Sequence, residues 1–459
     1  MKNSIVNLLY VSIILLSATA SAYRQDLKPL PRGLTASERF IAIADGAEGQ
    51  APVGPIHALG EWEQADSAMT LWSNPSLVKA LADNGRVTIL TDHEQGRQSW
   101  LQWLRQNTIN ERNVDFFLVP TDSLWVRDYG PWFILDGQHR MGIIDNTYNR
   151  PRPLDDKVPD YIGEKLNLPV YQTGLIHTGG NFYTDGLGNA FSSTLVQTEN
   201  PLLNAISIVR RMESFLGIQR YVTARLAPKI TIEHIDTFGK LVAPDTWVVG
   251  QFPSNAPYYR DSEEFAQKLT TLMSPYGTRY KIYRMPLPPS LTNNFRAYVN
   301  SFIHNSTLFF ASYGDQHDEI ARQIYQRALP GYKIVAVDAL GTSWGDSVHC
   351  RTKNLRTEKT IFIFPTIFRN GSSWIVRAKV IPSPGSTLAS KPVIHFVGLD
   401  GSKRSFNMQE ETPHIYTFSL NDYAGETLSF YIEAKDTAGL SKRAPIRAPQ
   451  MLITYKATN

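Results

Sequence analysis

The chain has 459 residues, 46 Lys and Arg against 42 Asp and Glu, and a net charge of +4. That length is too great for one ordinary core and points to two domains, while the small, scattered charge excess excludes a nucleic-acid footprint. One cysteine, Cys350, excludes an internal disulfide framework, and 9 Trp, 21 Tyr and 21 Phe suit a strand-rich fold with a lined cleft.

In chain order, the opening MKNSIVNLLYVSIILLSATASAYRQ sets Lys2 before an apolar run from Ile5 to Leu16 and closes on Ala20-Ser21-Ala22. This is the pattern of an export signal cleaved after Ala22. A membrane span needs about 20 unbroken apolar residues, and Asn7 interrupts this run. The expectation is an exported protein, periplasmic or secreted, with no stable membrane insertion after cleavage. Its net charge falls to about +3 on losing Lys2. Residues 23–56, rich in Pro, Gly and Ala, read as a leader, propeptide or linker.

From residue 57 to 364, short apolar strands alternate with helical stretches. RVTILTD (86–92) reads as a strand, GRQSWLQWLRQN (96–107) as a helix and VDFFLVP (114–120) as the next strand. Similar sets follow: TWVVGQF, SEEFAQKLTTLMSPY and YKIYRMP, then TLFFASYG, DEIARQIYQRAL and YKIVAVDA. Strand–helix–strand alternation over this length indicates an α/β domain. No sequence repeat of fixed period is visible. From 365 to 459 the texture becomes short alternating runs split by Gly, Asp, Pro and Ser turns, an all-β segment most simply built as an immunoglobulin-like sandwich.

Four segments of the α/β region gather polar residues among aromatics and glycines. In DSLWVRDYGPWF, Asp128 follows Trp125 and precedes a Gly-Pro turn; taken alone it reads as a turn cap. In ITIEHIDTFGK, a strand would put His234 and Asp236 on one face, as metal ligands, an acid/base pair or a satisfied polar pair. In HTGGNFYTDGLGNA the glycines permit close backbone approach or mark a hairpin, and His177 reads as structural. In GDSVHCRTKN, Cys350 needs a proton acceptor and a positive field to act as a nucleophile. His349, its neighbour, would point to the opposite face of an extended segment. YNRPRPLDD adds Arg150 and Arg152, set by prolines into a stiff, extended, cationic hook able to grip a carboxylate.

A thiol, a histidine and two aspartates suit a planar cation with several N–H donors. Two carboxylates can hold a guanidinium flat while sulfur attacks its carbon and an imidazole protonates the leaving ammonia. The segments WVRDYGPWF, YNRPRP, HTGGNFYTDG, EHID and HCRT, in this order, resemble the bacterial, porphyromonad-type peptidylarginine deiminases. These stand within the wider guanidine-modifying superfamily that includes agmatine deiminases. The resemblance covers about residues 57–455.

The resemblance implies Cys350 as nucleophile, His234 as general acid/base, Asp128 and Asp236 as the guanidinium-binding pair, and Asn300 as an active-site asparagine. It implies Trp125 as an aromatic wall, Arg150 and Arg152 at the substrate carboxylate, and Asp185 in a loop near the site. It further implies an α/β propeller of five ββαβ modules (a pentein), no cofactor, no metal, and arginine-containing peptides or proteins as substrate. Thr231, where relatives carry a tyrosine, and a short loop GTSWGDSVHC are departures that would reshape the mouth of the cleft. The expected reaction is hydrolysis of peptidyl-arginine, at a C-terminal arginine, to citrulline and ammonia through a thiouronium intermediate. Agmatine or free arginine is the alternative substrate. A metal hydrolase using His234, Asp236 and Cys350, or a non-catalytic exported binding protein, stands further off.

Overall fold

The computed structural model describes residues 51–71, 75–226, 232–289, 295–338, 347–356, 359–370, 373–398, 401–420 and 427–456. The export signal, most of the leader, Thr231 and the GTSWGD stretch of the loop before Cys350 lie outside these residues.

Five mixed sheets make up the α/β region, and each has the same local order. An antiparallel pair comes first, and a helical crossover then adds a strand parallel to the second member, the arrangement that short turns and crossovers allow. The antiparallel pairs are Trp132–Leu135 with Met141–Thr147, Tyr183–Thr184 with Asn189–Ser193, and Gly239–Ala243 with Thr246–Gln251. The fourth is Phe302–His304 with Thr307–Ser312. The fifth joins the two ends of the region, Thr352–Leu355 running antiparallel to Ser67–Thr70 with Thr352 opposite Thr70. The parallel third strands are Val170–Ile176, Arg220–Ala224, Lys281–Pro286, Lys333–Asp338 and Val87–Thr91.

The crossover helices follow from their apolar spacing. Helix Tyr259–Thr271 buries Phe265, Ala266 and Leu269, and helix Gln316–Ala328 buries Ala321, Ile324, Tyr325 and Ala328, one stripe each at helical period. The second begins with a capping box of Asp315 and Asp318. Helix Ala205–Leu216 starts at Asn204, whose side chain accepts from Ser207 N, and ends at Gly217 with φ +67°. A side chain there would lie 1.9 Å from the Ile56 carbonyl oxygen, so only glycine fits. Residues 51–56, assigned above to the leader, are thus partly built into this unit: Gly137 N also donates to Val53 O, and Ile56 is buried.

Past the α/β region come two antiparallel sheets. One orders Phe362–Asn370, Ser373–Ile381, Ile415–Leu420 and Gln409–Thr412; the other contains Lys403–Asn407, Val393–Val397, Thr427–Lys435, Ser441–Ala444 and Ile453–Lys456. Trp374, Val376, Ala378 and Val380 alternate inward from the first to meet Ile394, Phe430 and Ile432 of the second in a shared core. The change of texture placed at residue 365 falls inside the first strand of this unit, which opens at Phe362. Pairing sets an element's limits, whereas composition registers the change only after several residues. Lys442 Nζ reaches Glu63 Oε2 at 3.0 Å across the junction with the α/β unit. Among the described residues, no helix is long and apolar enough to cross a membrane.

Candidate active site

The turns that lead into the five antiparallel pairs carry the polar cluster. Asp128 sits in the one-turn helix Val126–Tyr129, which Gly130 and Pro131 terminate just before Trp132. Gly180 lies in the 3₁₀ turn Gly179–Asn181, and Asp236 in the 3₁₀ turn Ile235–Thr237. Asn300 and Cys350 lie in the turns before Phe302 and Thr352. Asn181 joins two of these turns, its Oδ1 accepting from Ser193 N at 2.8 Å and Ile235 N at 3.2 Å. The same position in each module is thus delivered to one place, although the residues there differ.

Distances define the cluster. Asn300 Nδ2 donates to Cys350 Sγ at 3.3 Å, while its Oδ1 accepts from the backbone N–H of His349 at 3.1 Å and of Cys350 at 3.3 Å. Cys350 Sγ lies 3.8 Å from Asp236 Oδ2. His234 Nε2 contacts Thr178 Oγ1 at 3.1 Å, and its Nδ1 lies 3.5 Å from Asp128 Oδ1. Gly180 N donates to Asp128 Oδ1 at 3.2 Å. Gly180 faces the centre: a methyl group there would lie 2.6 Å from Asp128 Oδ1, 2.7 Å from His234 Nδ1 and 3.2 Å from Asp236 Oδ2. Two acids and an imidazole therefore border a space that a glycine keeps open. Neither His234 Nδ1 nor Asp236 Oδ1 has a hydrogen-bond partner among the described residues.

Burial tunes these groups. It raises the Asp128 carboxyl to about 7, and it raises Asp236 well above the usual carboxylate range, with the nearby Asp128 charge adding to it. Burial lowers His234 to about 3, with the Arg150 charge contributing, so its ring is neutral near pH 7. Cys350 and Asp236 are fully buried and His234 is 1% exposed. Asp128 keeps a 10% exposed side chain, and Trp125, Arg150 and Arg152 are only partly buried. That side is the approach to the cluster.

Of the predicted residues, the structure brings Cys350, His234, Asp128, Asp236 and Asn300 together. Trp125 and Arg152 meet at the approach, the guanidinium lying 4.6 Å over the indole ring while Nη1 donates to Tyr148 Oη at 3.3 Å. The arginine hook is a turn rather than an extended arm, since Arg152 N donates to Arg150 O at 2.8 Å before a helix begins at Pro153. His234 and Asp236 lie on an irregular segment and a 3₁₀ turn, not a strand; His234 occupies the N-cap and its carbonyl accepts from Thr237 Oγ1.

Asp185 turns its carboxylate to its own loop. Its Oδ1 accepts from Leu187 N at 2.8 Å and Asn189 N at 2.9 Å, and its other oxygen takes the Asn189 side chain, so the carboxylate is consumed in closing its own turn. His177 is structural, accepting from Thr178 N and contacting Tyr221 Oη.

Several functional neighbours escaped sequence reasoning. His349 lies in a turn, not an extended segment, so it shares a neighbour with Cys350. Its Nδ1 meets Asp236 Oδ2 at 2.7 Å and its Nε2 meets Glu61 Oε2 at 2.9 Å. Glu61 also accepts from Lys240 Nζ at 2.7 Å and Ile303 N at 2.6 Å. At the approach, Glu199 accepts from Asn149, and burial raises its carboxyl to about 7. Only the doubled glycine of HTGG carried a local signal, close backbone approach. Among the described residues, no three His, Cys, Asp or Glu side chains are grouped as metal ligands would be.

Comparison with known proteins agrees with this geometry. A candidate agmatine deiminase of Legionella pneumophila is 23% identical over 296 residues, spanning 60% of this chain and 83% of the relative. The solved agmatine deiminase of Enterococcus faecalis matches with a TM-score of 0.59 at 20% identity, over 68% of this chain and all of that one. A candidate arginine deiminase of Porphyromonas gingivalis matches with a TM-score of 0.57 at 19% identity, over 66% of this chain and 98% of that one. At such identities the structures establish a common fold. The sequence profile of the Porphyromonas-type peptidyl-arginine deiminases matches residues 55–355, a span that holds all five mixed sheets and the whole Cys350 cluster. The chain therefore belongs to the Porphyromonas-type peptidyl-arginine deiminases, a guanidine-modifying, amidine-hydrolysing family.

Proposed function

We propose that this protein hydrolyses the guanidinium of peptidyl-arginine, at a C-terminal arginine, to citrulline and ammonia, and that it does so as an exported enzyme. The observation that carries the reading is the space in front of Gly180, bordered by Asp128, Asp236 and His234 and adjoined by the Cys350 thiol. Guanidinium N–H groups pair with the two carboxylates, which fix its plane. Neutral His234 takes the thiol proton through Nδ1, and sulfur bonds to the guanidinium carbon. The proton passes to a terminal nitrogen, the C–N bond breaks, and ammonia leaves a thiouronium on Cys350. His234 then deprotonates water, oxygen bonds to the same carbon, the C–S bond breaks, and the proton returns to sulfur as the ureido product departs. Asn300 holds the sulfur in place during both displacements.

Arg150 and Arg152 at the partly exposed side favour a substrate with a terminal carboxylate, and Trp125 offers a wall for its methylene chain. The five sheets fit a propeller with its polar turns at the axis, and the two antiparallel sheets fit an immunoglobulin-like sandwich that braces it. A second reading has its own support: Arg152 already stacks on Trp125 and bonds Tyr148, leaving the hook less free for a carboxylate, and agmatine has none. Turnover of an arginine-terminated peptide, the same peptide with internal arginine, free arginine and agmatine separates the two. Ammonia and citrulline are expected fastest from the arginine-terminated peptide, with an adduct on Cys350 in acid-quenched samples. Faster turnover of agmatine would transfer the assignment to the second reading, and no turnover of any of them would end both.

The carboxyl pair sets the pH profile. A guanidinium cation binds the ionised acids, and Asp128 in the free protein protonates as pH falls through about 7. Thus kcat/KM should fall as pH falls below that value, about tenfold per unit for the Asp128 proton alone and more steeply where the raised Asp236 carboxyl takes up a proton as well. His234, lowered to about 3, adds no acid limb in this range. A profile flat from pH 5 to 8 would contradict the assignment of Asp128.

A further inference from the structure

Beside the turns that carry Asp128 and Gly180 lies a pocket of about 60 Å³, lined by Glu61, Arg127, Trp132, Gly179, Tyr183, Lys353 and other residues, and by none of Asp128, His234, Asp236 or Cys350. Glu61 and Asp128 act on its cations only from beyond hydrogen-bond reach. Glu61 is fully engaged: one oxygen takes Lys240 and Ile303 N, the other takes His349, and Arg127 Nη2 stands off at 3.6 Å. Arg127 is 6% exposed, and its Nη2 has no hydrogen-bond partner among the described residues. Lys353 is 9% exposed and faces the cavity with no hydrogen bond or ion pair among those residues, only the Trp132 ring 5.8 Å away. Tyr183, 4% exposed, adds a hydroxyl that is likewise unpartnered. Arg356 also lines the space but gives its guanidinium to the carbonyls of Gly60, Glu63 and Gln64.

We infer that this cavity is a binding site for a small monovalent inorganic anion of the halide class, held by Lys353, Arg127 and Tyr183. All three groups are donors, two can carry positive charge, and burying a cation with no acceptor in hydrogen-bond reach is costly. The space of about 60 Å³ admits a few water-sized species, each needing about 10–15 Å³ by the same measure. Burial together with the Arg127 charge pushes the Lys353 amine well below its ordinary range, a penalty that a bound anion relieves. The site adjoins the catalytic backbone, since Arg127 precedes Asp128 and a Cβ on Gly179 would lie 3.1 Å from Lys353 Nζ. The anion therefore braces the two turns that present Asp128 and Gly180.

The test needs no substrate, so it stands or falls apart from the deiminase reading. Crystals of the protein grown with sodium bromide should show an anomalous peak within hydrogen-bond reach of Lys353 Nζ and Arg127. In solution, chloride or bromide should raise the thermal midpoint above that in gluconate at equal ionic strength. Lys353→Met should lose this halide increment, and Tyr183→Phe should weaken half-saturation by up to about tenfold, the worth of one hydrogen bond. If Lys353→Met does not fold, Tyr183→Phe and the crystal of the unaltered protein decide. No bromide peak at this position overturns the inference, because Lys353 is then a neutral amine beside water. So does a halide increment unchanged in the variants, and so does a crystal peak with no increment in solution, which would mark an adventitious ion only.

Discussion

Gly180→Ala is expected to lower kcat/KM by at least about 10²-fold while leaving the protein folded, because displacing reacting groups by about 1 Å already has that effect. The added methyl enters the space where the guanidinium would lie, 2.6 Å from Asp128 Oδ1 and 2.7 Å from His234 Nδ1. Those are side-chain atoms, so they can withdraw and the fold can tolerate the change, but in withdrawing they abandon the geometry that clasps a planar cation. Steady-state ammonia release beside a thermal melt measures both consequences. Retained activity with an unchanged melt would show that no substrate atom occupies the space in front of Gly180. The same substitution at Gly179 makes a poor control, since its Cβ would lie 2.1 Å from the Arg127 carbonyl oxygen and would strain the backbone itself.

Glu61→Gln should cost about 3–5 kcal/mol of stability, the usual penalty for stripping one partner from a buried ion pair. Glu61 is 7% exposed and faces Lys240, whose side chain is fully buried, with Arg127 nearby. The amide is nearly the same shape, so packing survives while the counter-charge is lost. Lys240, already lowered to about 8 by burial, would lose the carboxylate that favours its charged form. Activity should also fall, because Glu61 orients His349 and His349 orients Asp236. Urea midpoints of the two proteins give the stability change. Glu264→Gln, which breaks the exposed pair with Arg260, serves as a comparison and should move the midpoint little. A Glu61→Gln protein as stable as the unaltered one would show that Lys240 is neutral at rest.

The strands at 87–91, 114–118, 246–251 and 281–286 and the helices at 259–271 and 316–328 were legible before any coordinates, because alternation and helical spacing are local properties. Cys350 and the His234–Asp236 pair stood out in the residues themselves, whereas Asp128 read alone as a turn cap and Asn300 came only from the family resemblance. The engagement of Asp185 was not legible, because Asp before Gly serves a turn and a ligand site equally well, and only the positions of Leu187 N and Asn189 N show which it does. His349 was misjudged because the side chains alternate only if the segment is extended, and residues 347–350 turn instead.

From the chain alone came the alternating elements, the change to an all-β segment and the residue types able to handle a guanidinium. Tertiary structure alone decided that Ser67–Thr70 pairs with Thr352–Leu355, that Glu61 stands 288 positions from the His349 it supports, and that Gly180 marks the centre of the cluster. Periodicity is written over a few neighbouring residues, and packing a face needs nothing longer. Which distant charge meets which depends on the closure of the sheets, and a carboxylate gains its partners, its burial and its raised pKa only when that closure has happened.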